Sequence, residues 1–299
     1  MKIETIPIRD DCTLTAYVPD PVIAYQTARK RPGIVIAPGG AYLFLSEREN
    51  EAIVLEFLAR EYNVYVLNYS VGFTDRKSKE NNSGVLNSPH RYPDPILELL
   101  EAIHYLKVHD DEMNLEADQL FLLGFSAGGH LCAAVGTMWN DPQLTDRLSF
   151  VPQKNELKAA GMVLCYPMIH PMSEGPYSVN DPQNPDSWLM KDFLYGTRKP
   201  SREQMESTDL RSKVTKETIP AFVWQCTDDP AVNPINTTEF VLALQKNGID
   251  CEYMLFDHGQ HGIAMAKAFY AKNPEGVDEQ IAQWMEFADL WMKRIIELQ

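Results

Sequence analysis

Residues 122–130 read Leu-Leu-Gly-Phe-Ser-Ala-Gly-Gly-His, and this stretch decides the fold. The apolar run at 119–124 predicts a buried strand, and the small residues from Ala127 onward predict a helix. Glycines on both sides of the serine allow a sharp strand-to-helix turn, because side chains there would collide with neighbouring backbone. Ser126 would then project from the carboxyl end of a sheet as a nucleophile. An ordinary tight turn is the alternative interpretation.

The rest of the chain alternates strand-like and helix-like segments around this turn. Short apolar runs predict further strands at 2–8, 13–18, 33–37, 63–69, 161–166, 221–225 and 251–256. Apolar residues at helical spacing predict helices at 51–60, 95–108 and 281–295. Turn residues bound the first two strands, which indicates an antiparallel pair at a sheet edge. The predicted fold class is therefore α/β, with a mainly parallel central sheet flanked by helices on both faces.

Two polar segments interrupt the alternation. Residues 72–94 carry Asn81-Asn82-Ser83-Gly84 at their centre and predict a long loop. Residues 171–218 lie between two strands and predict a small cap inserted into the fold, since long segments of this kind in a compact domain are usually functional. We expect one domain over 1–299, with the cap inside it, because α/β domains of this size commonly form one unit.

A serine nucleophile requires N–H donors that face the oxyanion of the tetrahedral intermediate. Ala127, directly after the serine, is expected to supply one donor. The second is expected from Pro38-Gly39-Gly40-Ala41-Tyr42, which follows an apolar strand and exposes bare backbone. Gly40 and Ala41 are therefore the candidates, and a simple Gly-Gly turn is the alternative.

The predicted chain order for such a site is serine, then acid, then histidine. Of the four histidines after Ser126, His261 comes after the last strand and has glycines on both sides of Gln260-His261. His258 is its local rival. His130 lies one turn into the helix, where we expect a packed, hydrogen-bonded side chain.

The acid should follow the strand at 221–225, where the sequence reads Cys-Thr-Asp-Asp-Pro over 226–230. Asp228 and Asp229 are both candidates. Adjacent carboxylates repel, so one should accept from the imidazole while the other faces backbone N–H groups or water. A solvated turn is the alternative for this segment.

Charge and composition exclude several classes of function. The chain has 27 Lys and Arg against 42 Asp and Glu, a net charge of −15 that would repel phosphate backbones, so no nucleic-acid partner is expected. It has neither an apolar run of about 18 residues nor a basic leader, which predicts no membrane span and no signal peptide. Five scattered cysteines without a Cys-x-x-Cys pair favour free, buried thiols in a reducing cytoplasm and argue against a zinc site.

Four motifs, in this order, resemble the α/β-hydrolase esterases related to acetyl xylan esterases and the bacterial hormone-sensitive-lipase-like group. The pattern Pro-Gly-Gly-Gly-Tyr corresponds to 38–42, and Gly-Phe-Ser-Ala-Gly-Gly-His is matched at 124–130. Thr-x-Asp-Asp-x-x-Val-Pro corresponds to the segment from Thr227, and Gly-x-His-Gly is matched at 259–262. The resemblance places the acid at Asp229. It implies a short-chain acyl ester as substrate, often an acetylated sugar, with no metal or cofactor.

The chain departs from this pattern at three positions. Ala41 replaces the third glycine, Asn233 replaces a proline, and Gln225 stands where relatives usually have histidine. None of these changes removes a catalytic group, but they leave the substrate open.

We therefore expect a serine carboxylesterase that uses Ser126, Asp229 and His261, with an oxyanion hole of Gly40, Ala41 and Ala127. Its partner would be a small-molecule ester, with acetylated sugars as one candidate and a homo-oligomer as one possible assembly. A small-peptide amidase of the same fold and a catalytically silent small-molecule binder are the alternatives. The intact serine, acid and histidine set argues against the binder. The acyl group, the alcohol and the oligomeric state stay open.

Overall fold

A central sheet forms the core of the fold. This computed structural model describes residues 1–21, 30–81, 84–172, 177, 179–271 and 274–298. Within these ranges the sheet has eight strands, in the order β1-β2-β4-β3-β5-β6-β7-β8. Their bounds are β1 (Lys2–Arg9), β2 (Cys12–Val18), β3 (Arg31–Ala37), β4 (Asn63–Asn68), β5 (Leu115–Phe125), β6 (Gly161–Cys165), β7 (Ala221–Cys226) and β8 (Cys251–Phe256).

Strand direction divides this sheet into an antiparallel edge and a parallel body. β1 pairs antiparallel with β2, and β2 pairs antiparallel with β4. Every pairing from β4 across to β8 is parallel. The predicted edge pair and mainly parallel sheet are therefore confirmed. Because parallel strands end at the same edge, the loops after β3, β5, β6, β7 and β8 can meet there.

Helices cover both faces of the sheet. Their bounds are α1 (Glu51–Leu58), α2 (Arg76–Glu80), α3 (Asp94–Val108), α4 (Ala127–Met138), α5 (Pro142–Thr145), α6 (Pro185–Tyr195), α7 (Arg202–Ser207), α8 (Pro234–Lys246) and α9 (Trp284–Glu297). Leu122 of β5 belongs to one buried apolar cluster with residues of α3, α4 and α8. Its neighbour Leu123 belongs to a second cluster with residues of α1 and α9. Successive strand residues thus face opposite helical layers, as the period of a strand requires.

The two polar segments differ in part from their predictions. Residues 72–94 contain the short helix α2, so a continuous loop was wrong there. Asp75 caps this helix, because its carboxylate accepts from the N–H of Ser78 at 2.8 Å. Asn82 and Ser83 lie outside the described residues. The segment 171–218 contains α6 and α7, and its residues 173–176 and 178 are likewise outside the described part.

The C-terminal helix is shorter than its apolar spacing predicts. A single 3-10 turn occupies Ile281–Gln283, and α9 begins at Trp284. Within the described ranges, no helix combines the length and the apolar character needed to cross a membrane.

Candidate active site

Ser126 occupies a strained turn between β5 and α4. Its φ of 52° and ψ of −113° lie outside the regions that ordinary residues adopt. A Cβ added to Gly124 would lie 2.3 Å from the carbonyl oxygen of Gly128. A Cβ added to Gly128 would lie 2.0 Å from the carbonyl oxygen of Ala37. The turn therefore requires glycine at both positions, which is the physical basis of the motif.

The structure brings the three predicted residues into one hydrogen-bonded chain. Nε2 of His261 lies 2.8 Å from Oγ of Ser126, and Nδ1 lies 2.7 Å from Oδ2 of Asp229. A carboxylate only accepts hydrogen bonds, so Nδ1–H donates to Asp229 and Nε2 is left to accept from the serine hydroxyl. The other oxygen of Asp229 accepts from the N–H groups of Ala231 and Val232 at 2.7 and 3.0 Å. The acid is buried and fully hydrogen-bonded, which holds the imidazole in one orientation.

The rival acid and base side chains point elsewhere. Asp228 is exposed to solvent. Both ring nitrogens of His258 lie 2.7 Å from other carboxylates, those of Asp257 and Asp278. These hydrogen bonds, first that with Asp257 and then that with Asp278, raise the pKa of His258. The structure therefore places His261, and not His258, next to Ser126.

His130 is the packed histidine that the sequence predicts. Its Nδ1 lies 2.8 Å from the hydroxyl of Tyr42, and its Nε2 lies 2.9 Å from the carbonyl oxygen of Thr208. The side chain is completely buried, and this burial lowers the pKa of His130 to about 4. His130 is thus neutral and joins the loop after β3 to the segment that follows α7.

The loop after β3 carries three consecutive residues with positive φ, Gly40, Ala41 and Tyr42. The carbonyl oxygen of Gly40 accepts from the N–H groups of Leu43 and Phe44, which closes the loop into a tight turn. Gly40 and Ala41 line the cavity that contains Ser126. Among the described residues, the N–H groups of Gly40, Ala41 and Ala127 have no acceptor. These donors remain available for a ligand oxygen.

A cavity of about 230 Å³ opens at Ser126 and His261. One wall comes from the N-terminal part of α6, including the buried Ser187 and Met190. A neighbouring cavity of about 590 Å³ shares Phe44, Ser46 and Arg48 with it. The site therefore has a small compartment at the serine and a larger one beside it, with a partly polar rim. Among the described residues, no group of three His, Cys, Asp or Glu side chains could hold a metal ion.

Sequence reasoning missed a buried acidic residue in this site. Glu49 lines the small cavity yet is only 2% exposed. It lies in a strongly charged stretch, Ser-Glu-Arg-Glu-Asn over 46–50, which is typical of a solvent-exposed turn. No local pattern distinguishes it from Glu47, which is exposed.

Fold and site geometry together define an α/β hydrolase. The chain belongs to the BD-FAE family, whose model matches residues 20–244. This match includes Ser126 and Asp229 and ends before His261.

Known relatives include esterases and a xylanase. The chain is 26% identical over 261 residues to endo-1,4-beta-xylanase B of Butyrivibrio fibrisolvens, with 86% of this chain and 36% of that protein covered. It is 22% identical over 259 residues to an acetylxylan esterase of Xylanibacter ruminicola, with coverages of 85% and 45%. The chain thus spans less than half the length of these two relatives.

Among solved structures, the carboxylesterase Cest-2923 from Lactobacillus plantarum is similar over nearly the whole chain. Its TM-score is 0.80 at 24% sequence identity, with 98% of each chain covered. At this identity the likeness shows a shared fold.

Proposed function

We propose that this protein is a serine carboxylesterase that hydrolyses short-chain acyl esters. The observation that carries the proposal is the hydrogen-bonded chain from Ser126 through His261 to Asp229, with distances of 2.8 and 2.7 Å. Such a chain activates a hydroxyl that is otherwise a weak nucleophile. The esterase names of relatives, including the acetylxylan esterase, support the same reaction class.

The reaction begins when Oγ of Ser126 attacks the ester carbonyl and its proton passes to Nε2 of His261. The carbonyl oxygen becomes an oxyanion and accepts from the N–H groups of Gly40, Ala41 and Ala127. His261 then donates the proton to the leaving alkoxide, which departs as the alcohol. Water then gives a proton to Nε2 of His261 and attacks the acyl carbon. The bond from Oγ of Ser126 to that carbon breaks, His261 returns the proton to Oγ, and the carboxylic acid is released.

Asp229 supports both proton transfers without losing its own charge. It keeps the proton on Nδ1, so Nε2 can accept from serine or water. It also stabilises the imidazolium that forms in each step. The N–H groups of Ala231 and Val232 orient the carboxylate for this role.

Cavity size supports a short acyl group. About 230 Å³ lies directly at Ser126, and Met190 closes part of it. The neighbouring cavity of about 590 Å³ offers Arg48, Thr74, Asp75 and Lys79 as polar contacts for a hydrophilic alcohol. An acetylated sugar fits this division, with its acetyl group at the serine and its ring in the larger cavity. In this proposal the segment 171–218 is a cap on a single catalytic domain.

The test is reaction with a fluorophosphonate probe, followed by turnover of p-nitrophenyl acetate. We expect labelling at Ser126, and we expect Ser126→Ala to lower kcat by about 10⁴-fold or more without unfolding the protein. Ser212→Ala is the matched control, since this exposed serine lies far along the chain, next to Asp209. Near-normal turnover by folded Ser126→Ala would overturn the mechanism, and a folded, unlabelled and inactive wild type would indicate a silent binder.

A further inference from the structure

Glu49 helps to connect two loops, the one with the candidate oxyanion donors and the one with His261. The proposed reaction requires these loops to keep a fixed position relative to each other. Its Oε2 accepts from the N–H of Gly39 at 2.7 Å, and its Oε1 accepts from the hydroxyl of Tyr166 at 2.7 Å. Gly39 directly precedes the candidate oxyanion donors at 40 and 41. It is also packed against the nucleophile, since a Cβ added to Gly39 would lie 3.1 Å from Cβ of Ser126. Glu49 thus fixes the backbone of the oxyanion loop at the residue that packs against the nucleophile.

Tyr166 carries this connection to the loop of His261. Its hydroxyl accepts from the N–H of Ala264 at 3.1 Å while it donates to Glu49. Its ring packs edge to face against the ring of His261, with centroids 5.1 Å apart. One side chain therefore contacts the imidazole and fixes the backbone three residues beyond it. Burial, followed by the charge of Glu49, raises the pKa of Tyr166, so its hydroxyl keeps the proton that it donates.

A buried carboxylate is costly unless its oxygens are hydrogen-bonded. Among the described residues no lysine, arginine or histidine forms an ion pair with Glu49, and its two hydrogen bonds go to Gly39 and Tyr166. The buried carboxyl group of Glu49 thus joins two loops of one site through its two oxygens. In an ordinary surface turn this side chain would be exposed to solvent.

We propose that Glu49 and Tyr166 are a positioning pair that sets the oxyanion donors relative to His261. The inference rests on the proposed esterase function. A tetrahedral intermediate must meet the oxyanion donors and the imidazole at once, and catalytic groups tolerate only about 0.5 Å of misplacement. Loss of a whole oxyanion donor lowers kcat by about 10²–10³-fold. Loss of the link between the donors and the imidazole should lower kcat by a smaller factor and should affect the same step.

The experiment measures kcat and KM for p-nitrophenyl acetate in Tyr166→Phe, Glu49→Gln and the double variant. Tyr166→Phe keeps the ring against His261 and removes only the hydroxyl. Glu49→Gln leaves a single acceptor oxygen for two donors, the N–H of Gly39 and the hydroxyl of Tyr166. We expect each single variant to lower kcat by about 10-fold or more, a fraction of a full oxyanion donor, with little change in KM. The double variant should be no worse than the poorer single variant, because both changes break one link.

A second readout separates positioning from general damage. An alkylboronic acid forms a tetrahedral adduct with a catalytic serine, so its inhibition constant should rise in parallel with the loss of kcat. Inhibition by acetate, the product, should change little. Tyr65→Phe is the matched control, since Tyr65 is equally buried and its hydroxyl has no partner among the described residues. Glu51→Gln is the control for the acid, because Glu51 is exposed.

The outcomes separate this inference from the proposed function. Absence of ester hydrolysis by the folded wild type would overturn both. An active wild type with unchanged kcat in folded Tyr166→Phe and Glu49→Gln would overturn the positioning pair alone, as would fully additive losses in the double variant. If Glu49→Gln does not fold, Tyr166→Phe with its boronic acid constant decides the question.

Discussion

Oδ2 of Asp229 lies 2.7 Å from Nδ1 of His261, while the side chain of the adjacent Asp228 is exposed to solvent. Two neighbouring carboxylates thus have opposite environments. Asp229 is buried and accepts two backbone hydrogen bonds besides that of the imidazole. We therefore expect replacement by asparagine to have different effects on activity at these two adjacent positions.

Asp229→Asn should lower kcat by about 10⁴-fold, because an amide in place of the carboxylate allows the wrong imidazole tautomer. Asp228→Asn should stay within about twofold of wild type, as expected for an exposed side chain outside the hydrogen-bonded chain. The measurement is kcat for p-nitrophenyl acetate in both variants, with circular dichroism spectra to confirm folding. Greater damage in the Asp228 variant would reverse the assignment.

Candidate residues could be chosen from the sequence where the chemistry requires a local pattern. Ser126 and His261 follow predicted strands and have glycines nearby, and chain order limited the choice of partners. The acid was ambiguous, since two adjacent aspartates have the same local pattern and only their burial distinguishes them. The resemblance to a family favoured Asp229 where the residues alone left both aspartates open.

Contacts between distant segments could not be predicted in this way. Glu49 and Tyr166 are 117 residues apart, and neither belongs to a motif. Glu49 has the composition of an exposed turn, and only the folded chain shows that it is buried. The helix α2 was missed for a different reason, since a five-residue helix held by one capping side chain has too few apolar residues to show a period.

Gly128→Ala should destabilise the protein and nearly abolish its activity. The added Cβ would lie 2.0 Å from the carbonyl oxygen of Ala37, which is backbone and cannot rotate away. Overpacking of this kind costs about 1–3 kcal/mol in the free energy of unfolding, and here it would also displace Ser126. Urea unfolding and kcat are the measurements.

Gly248→Ala is the matched control for this substitution. An added Cβ there would meet nothing within 4 Å, although the φ of Gly248 is +72°. It should cost about 1 kcal/mol for the left-handed backbone and leave kcat unchanged. Equal activity losses in the two variants would contradict the role of the turn at Ser126.

His130 should make the protein less stable in acid. Burial lowers the pKa of His130 to about 4, whereas the ordinary value is 6.5. Between these two values the unfolded chain binds a proton that the folded protein does not bind, so the free energy of unfolding falls as the pH falls. The difference between these two pKa values corresponds to about 3 kcal/mol in the free energy of unfolding. Most of this contribution is lost once the pH has fallen to about 4.

The measurement is the pH slope of unfolding free energy between pH 7 and 4.5 in wild type and His130→Asn. The variant is expected to be less stable at pH 7 but to have a shallower slope. His258→Asn should change the pH slope of the unfolding free energy in the opposite direction. The raised pKa of His258 stabilises the folded state at low pH, and this contribution disappears as the pH rises through the raised value. Its removal should steepen the loss in acid, and unchanged slopes in both variants would contradict the assignments.

Chain length of the acyl group should be limited by Met190. This side chain is 1% exposed and lines the cavity of about 230 Å³ at Ser126. An open apolar channel would gain about 0.8 kcal/mol, or about fourfold, for each added methylene. A closed cavity reverses this trend once the chain no longer fits. We therefore expect kcat/KM to favour acetyl to butyryl esters and to fall sharply by octanoyl.

Met190→Ala should move the preferred acyl chain to greater length, because it removes part of the wall without touching the serine. Met205→Ala is the matched control, since Met205 lies in α7 and does not line this cavity. The measurement is kcat/KM across p-nitrophenyl esters of two to ten carbons for the wild type and both variants. A steady rise to the longest ester in the wild type would favour a lipase-like channel. An unchanged profile in Met190→Ala would show that another part of the cavity sets the limit.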